Sequence, residues 1–255
     1  MTNGILLVAG VQLFYAMSGA GAPIVYIHGN TGSSRWFSRV MDVPGFRTYA
    51  LDMPNFGRSQ PMPGEVDLHR YADYVHGFIE ELGLEAPVVV GHSLGGAVAQ
   101  SLALRNPANV GMLVLIDSAA PKGLQTPKER YPLIEMMRKD KSFVAKALAP
   151  TAPTLADPAF FESLVDDAFA MNEKAWIGNA EALSNFDVSA DTHRFDKPVL
   201  VIWGRKDFIV TEAMARDTAA AYSRSELVIL EEVGHSVIVE DPARFLSILT
   251  SFITR

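Results

Sequence analysis

The first chemical signal in this 255-residue chain is a serine set between glycines at the end of an apolar run. Val88-Val89-Val90 leads into Gly91-His92-Ser93-Leu94-Gly95, and an alanine-rich helical stretch, Ala97 to Arg105, follows at once. A turn that goes straight from strand to helix needs small neighbours, and its strain lifts the serine hydroxyl clear of the backbone. Ser93 is therefore the candidate nucleophile. A hydroxyl attacks poorly until a base takes its proton, and a neutral imidazole suits that task near neutral pH. Of the six histidines, His92 lies within the turn itself, His69 and His76 fall on an amphipathic stretch, and His193 precedes a strand. His235 stands in a loop, Glu232-Val233-Gly234-His235-Ser236, between the last apolar run and a helix that Asp241 and Pro242 can start. It is the candidate base.

The imidazole needs a carboxylate to fix its tautomer and to stabilise the imidazolium. Asp207, in Trp203-Gly204-Arg205-Lys206-Asp207, ends a strand and follows a glycine turn that can swing it toward the histidine loop. Asp117 is the rival, since it too closes an apolar run between Ser93 and His235. It opens Ser118-Ala119-Ala120-Pro121, where an aspartate caps a turn through its own backbone, so Asp207 is preferred. Acyl transfer also requires amide donors for the developing oxyanion. One is the residue after the nucleophile, Leu94. The second is assigned to the Asn30 amide, in the loop His28-Gly29-Asn30-Thr31-Gly32 that closes another strand.

These residues need a scaffold, and its outline follows from the alternation of short and long apolar patterns. Runs at Ile5 to Ala9, Gln12 to Met17 and Ile24 to Ile27 are separated by glycine turns, the first two as a hairpin. Further strands are expected at Thr48 to Leu51, Pro87 to Val90, Met112 to Ile116, Val199 to Trp203 and Leu227 to Leu230. A helix capped by Asp67 places Leu68, Tyr71, Val75, Phe78 and Leu82 near one face and stops at Gly83. Strands alternating with helices predict an α/β fold with a mostly parallel sheet and flanking helices. Between Ile116 and Val199 the alternation lapses, with helical pieces near Lys128 to Leu148, Pro158 to Met171 and Glu173 to Asn185. The expected organisation is a core of residues 1–120 and 190–255 with a helical cap of residues 121–189 over the sheet's C-terminal edge. Met136, Met137, Phe143, Phe160, Phe161, Phe169, Met171 and Trp176 are candidates for an apolar pocket there.

Composition narrows the functional classes. Hydrophobic residues make up 49% of the chain, enough for one core. A net charge of −7, from 22 basic against 29 acidic residues, offers no footprint for a nucleic-acid backbone. Without cysteine there is no disulfide, thiolate nucleophile or sulfur zinc site, which fits a reducing compartment. Gly4 to His28 carries no Asp, Glu, Lys or Arg, but glycines break it into pieces too short to span a bilayer and no basic start precedes it. A soluble, cytoplasmic protein with no membrane span is expected. Neither a G-x-G-x-x-G after a strand nor a metal-ligand pattern is present, so no cofactor and no metal are expected.

Taken together, the His28-Gly29 loop, the turn Asp52-Met53-Pro54-Asn55-Phe56-Gly57-Arg58-Ser59, the Ser93 turn, Gly204 to Asp207 and Gly234-His235 resemble the α/β-hydrolase superfamily, specifically its capped serine esterases and lactonases. The order Ser, Asp, His along the chain is also that family's order. Asn55 stands where relatives often carry glycine, and asparagine also tolerates the left-handed conformation. The His-Gly-Asn loop is similar to that of haloalkane dehalogenases, but those use an aspartate nucleophile. The resemblance implies a cofactor-free hydrolase of small carboxylic esters or lactones that forms an acyl-enzyme on Ser93. Carbon-carbon bond hydrolases and perhydrolases share the triad, and a ligand receptor that retains it is the non-enzymatic alternative. Oligomeric state is not legible.

Overall fold

The computed structural model describes residues 1–255. Eight strands form one sheet: β1 (Thr2–Val8), β2 (Val11–Gly19), β3 (Ala22–Ile27), β4 (Phe46–Leu51), β5 (Val88–His92), β6 (Met112–Ile116), β7 (Val199–Gly204) and β8 (Ser225–Leu230). Their spatial order is β1-β2-β4-β3-β5-β6-β7-β8. The hairpin β1–β2 and the β2–β4 pair are antiparallel, and every later pair is parallel. Each expected strand is present, most of them one to three residues longer than the apolar run that announced it.

Burial explains the strand composition. Val88, Val89 and Val90 of β5 and Leu113 to Ile116 of β6 are buried on both faces, so these strands are continuous apolar runs. Helix α1 (Leu68–Glu81) starts where the Asp67 carboxylate accepts the Arg70 N–H at 3.0 Å, and the chain turns at Gly83 with φ +59°. Its buried face includes Leu68, Tyr71, Val75, Phe78 and Ile79. Helix α2 (Leu94–Arg105) is buried along almost its whole length between the sheet and α1, which is why it is built from alanine, glycine and leucine.

Between β6 and β7 the chain forms four helices, α3 (Tyr131–Lys139), α4 (Lys141–Leu148), α5 (Pro158–Phe169) and α6 (Ala175–Asn185). The single helical piece expected from Lys128 to Leu148 is split at Asp140, whose carboxylate accepts the Ser142 N–H at 2.8 Å and so starts a new helix. Val144, Leu164, Val165, Ala168 and Trp176 of these helices belong to the same apolar core as the sheet. Helices α7 (Glu212–Ala220), α8 (Val237–Glu240) and α9 (Pro242–Ile253) complete the fold, with Asp241 capping α9 through the Arg244 N–H. No helix is long and apolar enough to cross a membrane.

The register lines up the strand ends. Ile27 pairs with Gly91, His92 with Ile116, and Ile116 with Ile202, so the loops after β3, β5, β6 and β7 emerge side by side at the sheet's C-terminal edge.

Candidate active site

Ser93 occupies that edge at φ 54°, ψ −118°, a conformation that non-glycine residues avoid. Its backbone is pinned from both sides: its N–H donates to the Ile116 carbonyl at 2.9 Å, and its carbonyl accepts the N–H groups of Gly96 and Ala119. The flanking glycines are required by close approach. A Cβ on Gly91 would sit 2.4 Å from the Gly95 carbonyl oxygen, and one on Gly95 would sit 2.3 Å from that of Ile27.

His235 follows β8, and its Nδ1–H donates to Asp207 Oδ2 at 2.7 Å, both side chains being buried. The Asp207 carboxylate is fixed in turn by the Ile209 and Val210 N–H groups, at 2.7 and 3.1 Å on Oδ1. Because Nδ1 is engaged, Nε2 is the nitrogen left to exchange a proton. Ser93, His235, Asn30 and Gly29 line one cavity of about 220 Å³. The Asn30 N–H has no backbone or side-chain acceptor in the protein, and the Leu94 N–H begins α2, where no carbonyl of the preceding helical turn exists to take it. The structure thus brings Ser93, Asp207, His235, Asn30 and Leu94 to one edge.

Asp117 lies beside this group without touching the imidazole through a hydrogen bond. Its Oδ1 accepts the Gly204 N–H at 2.9 Å and its Oδ2 has no partner. Rather than capping its own turn, it reaches across to the end of β7. Burial, reinforced by the neighbouring Asp207 carboxylate, pushes its carboxyl well above the usual range. One ligand atom each from Asp117, Asp207 and His235 lie within 4.8 Å of one another, the one grouping of acids and histidines close enough to share an ion. Between Asp207 and His235, however, the facing atoms are already joined by the imidazole proton.

Several further histidines are structural. His28 donates from Nδ1 to the Gly29 carbonyl at 2.8 Å and accepts the Met53 N–H on Nε2 at 3.0 Å. His92 donates from Nε2 to the His235 carbonyl at 2.8 Å, and its pKa is lowered to about 3 by burial and then by His235. The turn after β4 is held by Asp52, which accepts the Ser34 and Arg58 N–H groups. Asn55 there adopts φ 76°, the left-handed conformation its residue type permits.

A model of the α/β-hydrolase fold matches residues 22–242. The chain belongs to the α/β-hydrolase fold family. It is 31% identical to an AB hydrolase superfamily protein, YisY, of Bacillus subtilis, with 95% of each chain covered. To a 2-hydroxymuconate semialdehyde hydrolase of a Pseudomonas species it is 29% identical, over 97% of this chain and 92% of that one. Among solved structures, an esterase from Exiguobacterium antarcticum superposes with a TM-score of 0.90 at 22% identity, covering 98% of this chain and 99% of that one. Hydrolysis is the activity that the family and these relatives support.

In this α/β hydrolase the inserted helices line the cavity, but with other side chains than expected. Of the eight apolar candidates only Met137 lines it, together with Ile134, Leu148, Ala180 and Leu183 from the same helices, Leu124 before them and Ile209 after β7. Met136 and Phe169 are exposed at 44% and 38%, while Trp176 is packed into the core. Periodicity located the helices but not which flank faces inward.

Proposed function

We propose that this α/β hydrolase is a serine esterase that cleaves small carboxylic esters through an acyl-enzyme on Ser93. The observation that carries this reading is the strained Ser93 turn sharing a cavity with the Asp207–His235 pair. Ser93 Oγ attacks the ester carbonyl while its proton passes to His235 Nε2. The Asn30 and Leu94 N–H groups receive the oxyanion, and Asp207 stabilises the imidazolium. The imidazolium then returns the proton to the leaving alcohol. A water molecule, deprotonated by the same nitrogen, attacks the acyl carbonyl and frees Ser93.

The helices between β6 and β7 act as a cap that selects the acid part. No Asp, Glu, Lys or Arg lines the cavity, so it offers no counter-charge to a substrate carboxylate and favours neutral, short-chain esters. A second reading, hydrolysis of a carbon-carbon bond, is supported by the likeness to the 2-hydroxymuconate semialdehyde hydrolase. Lactones use the same ester chemistry in a ring.

The test is a panel of p-nitrophenyl esters of increasing acyl length, several lactones and a ring-cleavage product. A Ser93-dependent burst with short neutral esters is expected. Preference for the ring-cleavage product would replace the ester reading, and tight ligand binding without turnover would favour a receptor.

A further inference from the structure

A chain of side-chain hydrogen bonds runs from the core through the inserted helices to the oxyanion loop, and its polarity is determined at both ends. At the far end the Met62 N–H donates to Asn55 Oδ1 at 3.2 Å, which leaves Asn55 Nδ2 to donate to the Tyr71 hydroxyl at 2.8 Å. The Tyr71 O–H then donates to Asn179 Oδ1 at 3.1 Å, and Asn179 Nδ2 donates to Asn30 Oδ1 at 2.8 Å. At the near end the Thr31 N–H also donates to Asn30 Oδ1, at 3.0 Å. Two backbone N–H groups thus settle the orientation of all three amides, which neither end can reverse without losing a bond.

The members are sealed from water. Asn179 of α6 and Tyr71 of α1 are fully buried and Asn55 is 2% exposed. Burial raises the Tyr71 phenol above its ordinary range, so it remains a donor. The relay ends at Asn30, which lines the cavity beside Ser93. With Oδ1 doubly occupied, the Asn30 amino group has no acceptor in the protein, and it is not among the buried polar atoms without a partner, which are Trp36 Nε1, His92 Nδ1, Asp117 Oδ2 and Ser236 Oγ.

We propose that Asn179 is a positioning residue that locks the Asn30 side chain with its amino group toward the cavity, so that the acyl part of the substrate meets a fixed hydrogen-bond donor. The substrate class that gains from it carries an acceptor oxygen close to the scissile carbonyl, as in alkoxy, hydroxy or oxo acids. In a cavity without Asp, Glu, Lys or Arg, a neutral donor held in a fixed direction beside Ser93 discriminates among esters of equal size. The inference rests on the serine-esterase reading given above.

Two isosteric esters test it: p-nitrophenyl butyrate and p-nitrophenyl methoxyacetate, which differ by an oxygen in place of a methylene. The kcat/KM of each is divided by its alkaline hydrolysis rate to remove intrinsic reactivity. The parent is expected to favour the methoxyacetate, and Asn179→Leu to lower that corrected ratio by about two- to tenfold, the worth of one hydrogen bond. Asn30→Ala, which keeps the backbone N–H, should lower it equally, and the double variant should add nothing further. Tyr71→Phe, one step back along the relay, should lower it less. Because a general loss of structure depresses both esters together, the ratio isolates positioning, and Asn30→Ala carries the test if Asn179→Leu does not fold. An unchanged ratio in Asn30→Ala, or additive losses in the double variant, overturns the inference while leaving the esterase reading intact. Absence of Ser93-dependent turnover of both esters overturns the esterase reading, and this inference with it.

Discussion

The sheet edge and the helices above it hold their functional groups by different means. At the edge, Ser93 and Asp117 directly follow buried strands and Asp207 lies in the loop after β7, all three fixed by backbone hydrogen bonds: Ser93 N–H to Ile116, Gly204 N–H to Asp117, Ile209 N–H to Asp207. Helix α3, by contrast, has no buried residue at all. Its Arg138 pairs with Glu135 and Glu173 at the surface, while α5 is tied to the core by Arg35–Asp167 at 2.7 Å and Arg39–Asp157 at 2.5 Å. The edge is over-determined and tolerates strain. Among the inserted helices, α3 is the one held mainly by contacts that solvent can replace, so it can change sequence with less effect on the chemistry beneath than α5 and α6, which share the buried core.

The sharpest way to break this comparison is at the edge. Ser93→Ala and His235→Ala should each lower kcat by roughly 10⁴- to 10⁶-fold with the fold retained, because the members of such a triad act as a unit. Steady-state assays beside circular dichroism check this, and full activity in either variant removes the mechanism. Next in size is the contrast between two strand ends. Asp207→Asn should lower kcat by roughly 10³- to 10⁴-fold by favouring the wrong imidazole tautomer. Asp117→Asn should cost less than about tenfold, because Asp117 makes no hydrogen bond to the imidazole and an amide oxygen can still accept the Gly204 N–H. The same variant carries a pH signature. With its pKa raised, folded Asp117 keeps a proton that the unfolded chain releases in the ordinary carboxylate range, so the parent loses stability as pH rises from there toward the folded value. Asp117→Asn lacks that loss, and its Tm relative to the parent should climb as pH rises from about 4, the ordinary carboxylate value. A relative Tm that is flat or falling over this range shows Asp117 to be ionised.

Smaller effects are expected in the inserted helices. Met137→Phe narrows the cavity and should reduce kcat/KM for p-nitrophenyl hexanoate relative to acetate by about tenfold, with acetate turnover little changed. An equal loss on both esters would mean that α3 supports the edge after all. Smallest is the tether: Arg35→Ala should lower unfolding stability by less than about 1 kcal/mol in urea titration, since the guanidinium is 40% exposed, and 0.5 M salt should shrink the difference.

The same division governs what the amino-acid sequence discloses. Ser93, Asp207, His235 and the strands that carry them were legible because each obeys a local rule: glycines around a turn, a carboxylate after a strand, a histidine before a capped helix. Asn179 obeys none. Its partner Asn30 lies 149 residues away, and an asparagine inside a helical pattern gives no sign of what it faces. Tyr71 was legible only as an apolar member of the α1 face, although its hydroxyl joins the two asparagines. Asp117 was placed at its strand end correctly, but the residue it serves, Gly204, is a neighbour only through the β6–β7 pairing.

The positive φ of Ser93 has a consequence for the stability of the molecule. A side chain held at φ 54°, ψ −118° costs of order 1–3 kcal/mol, a noticeable share of what keeps a domain folded. Ser93→Gly should relieve it and unfold at a higher urea concentration than the parent, whereas Ser93→Ala should not. Selection for durability alone would favour glycine here, so on the proposed mechanism serine at this turn holds the protein below its attainable stability.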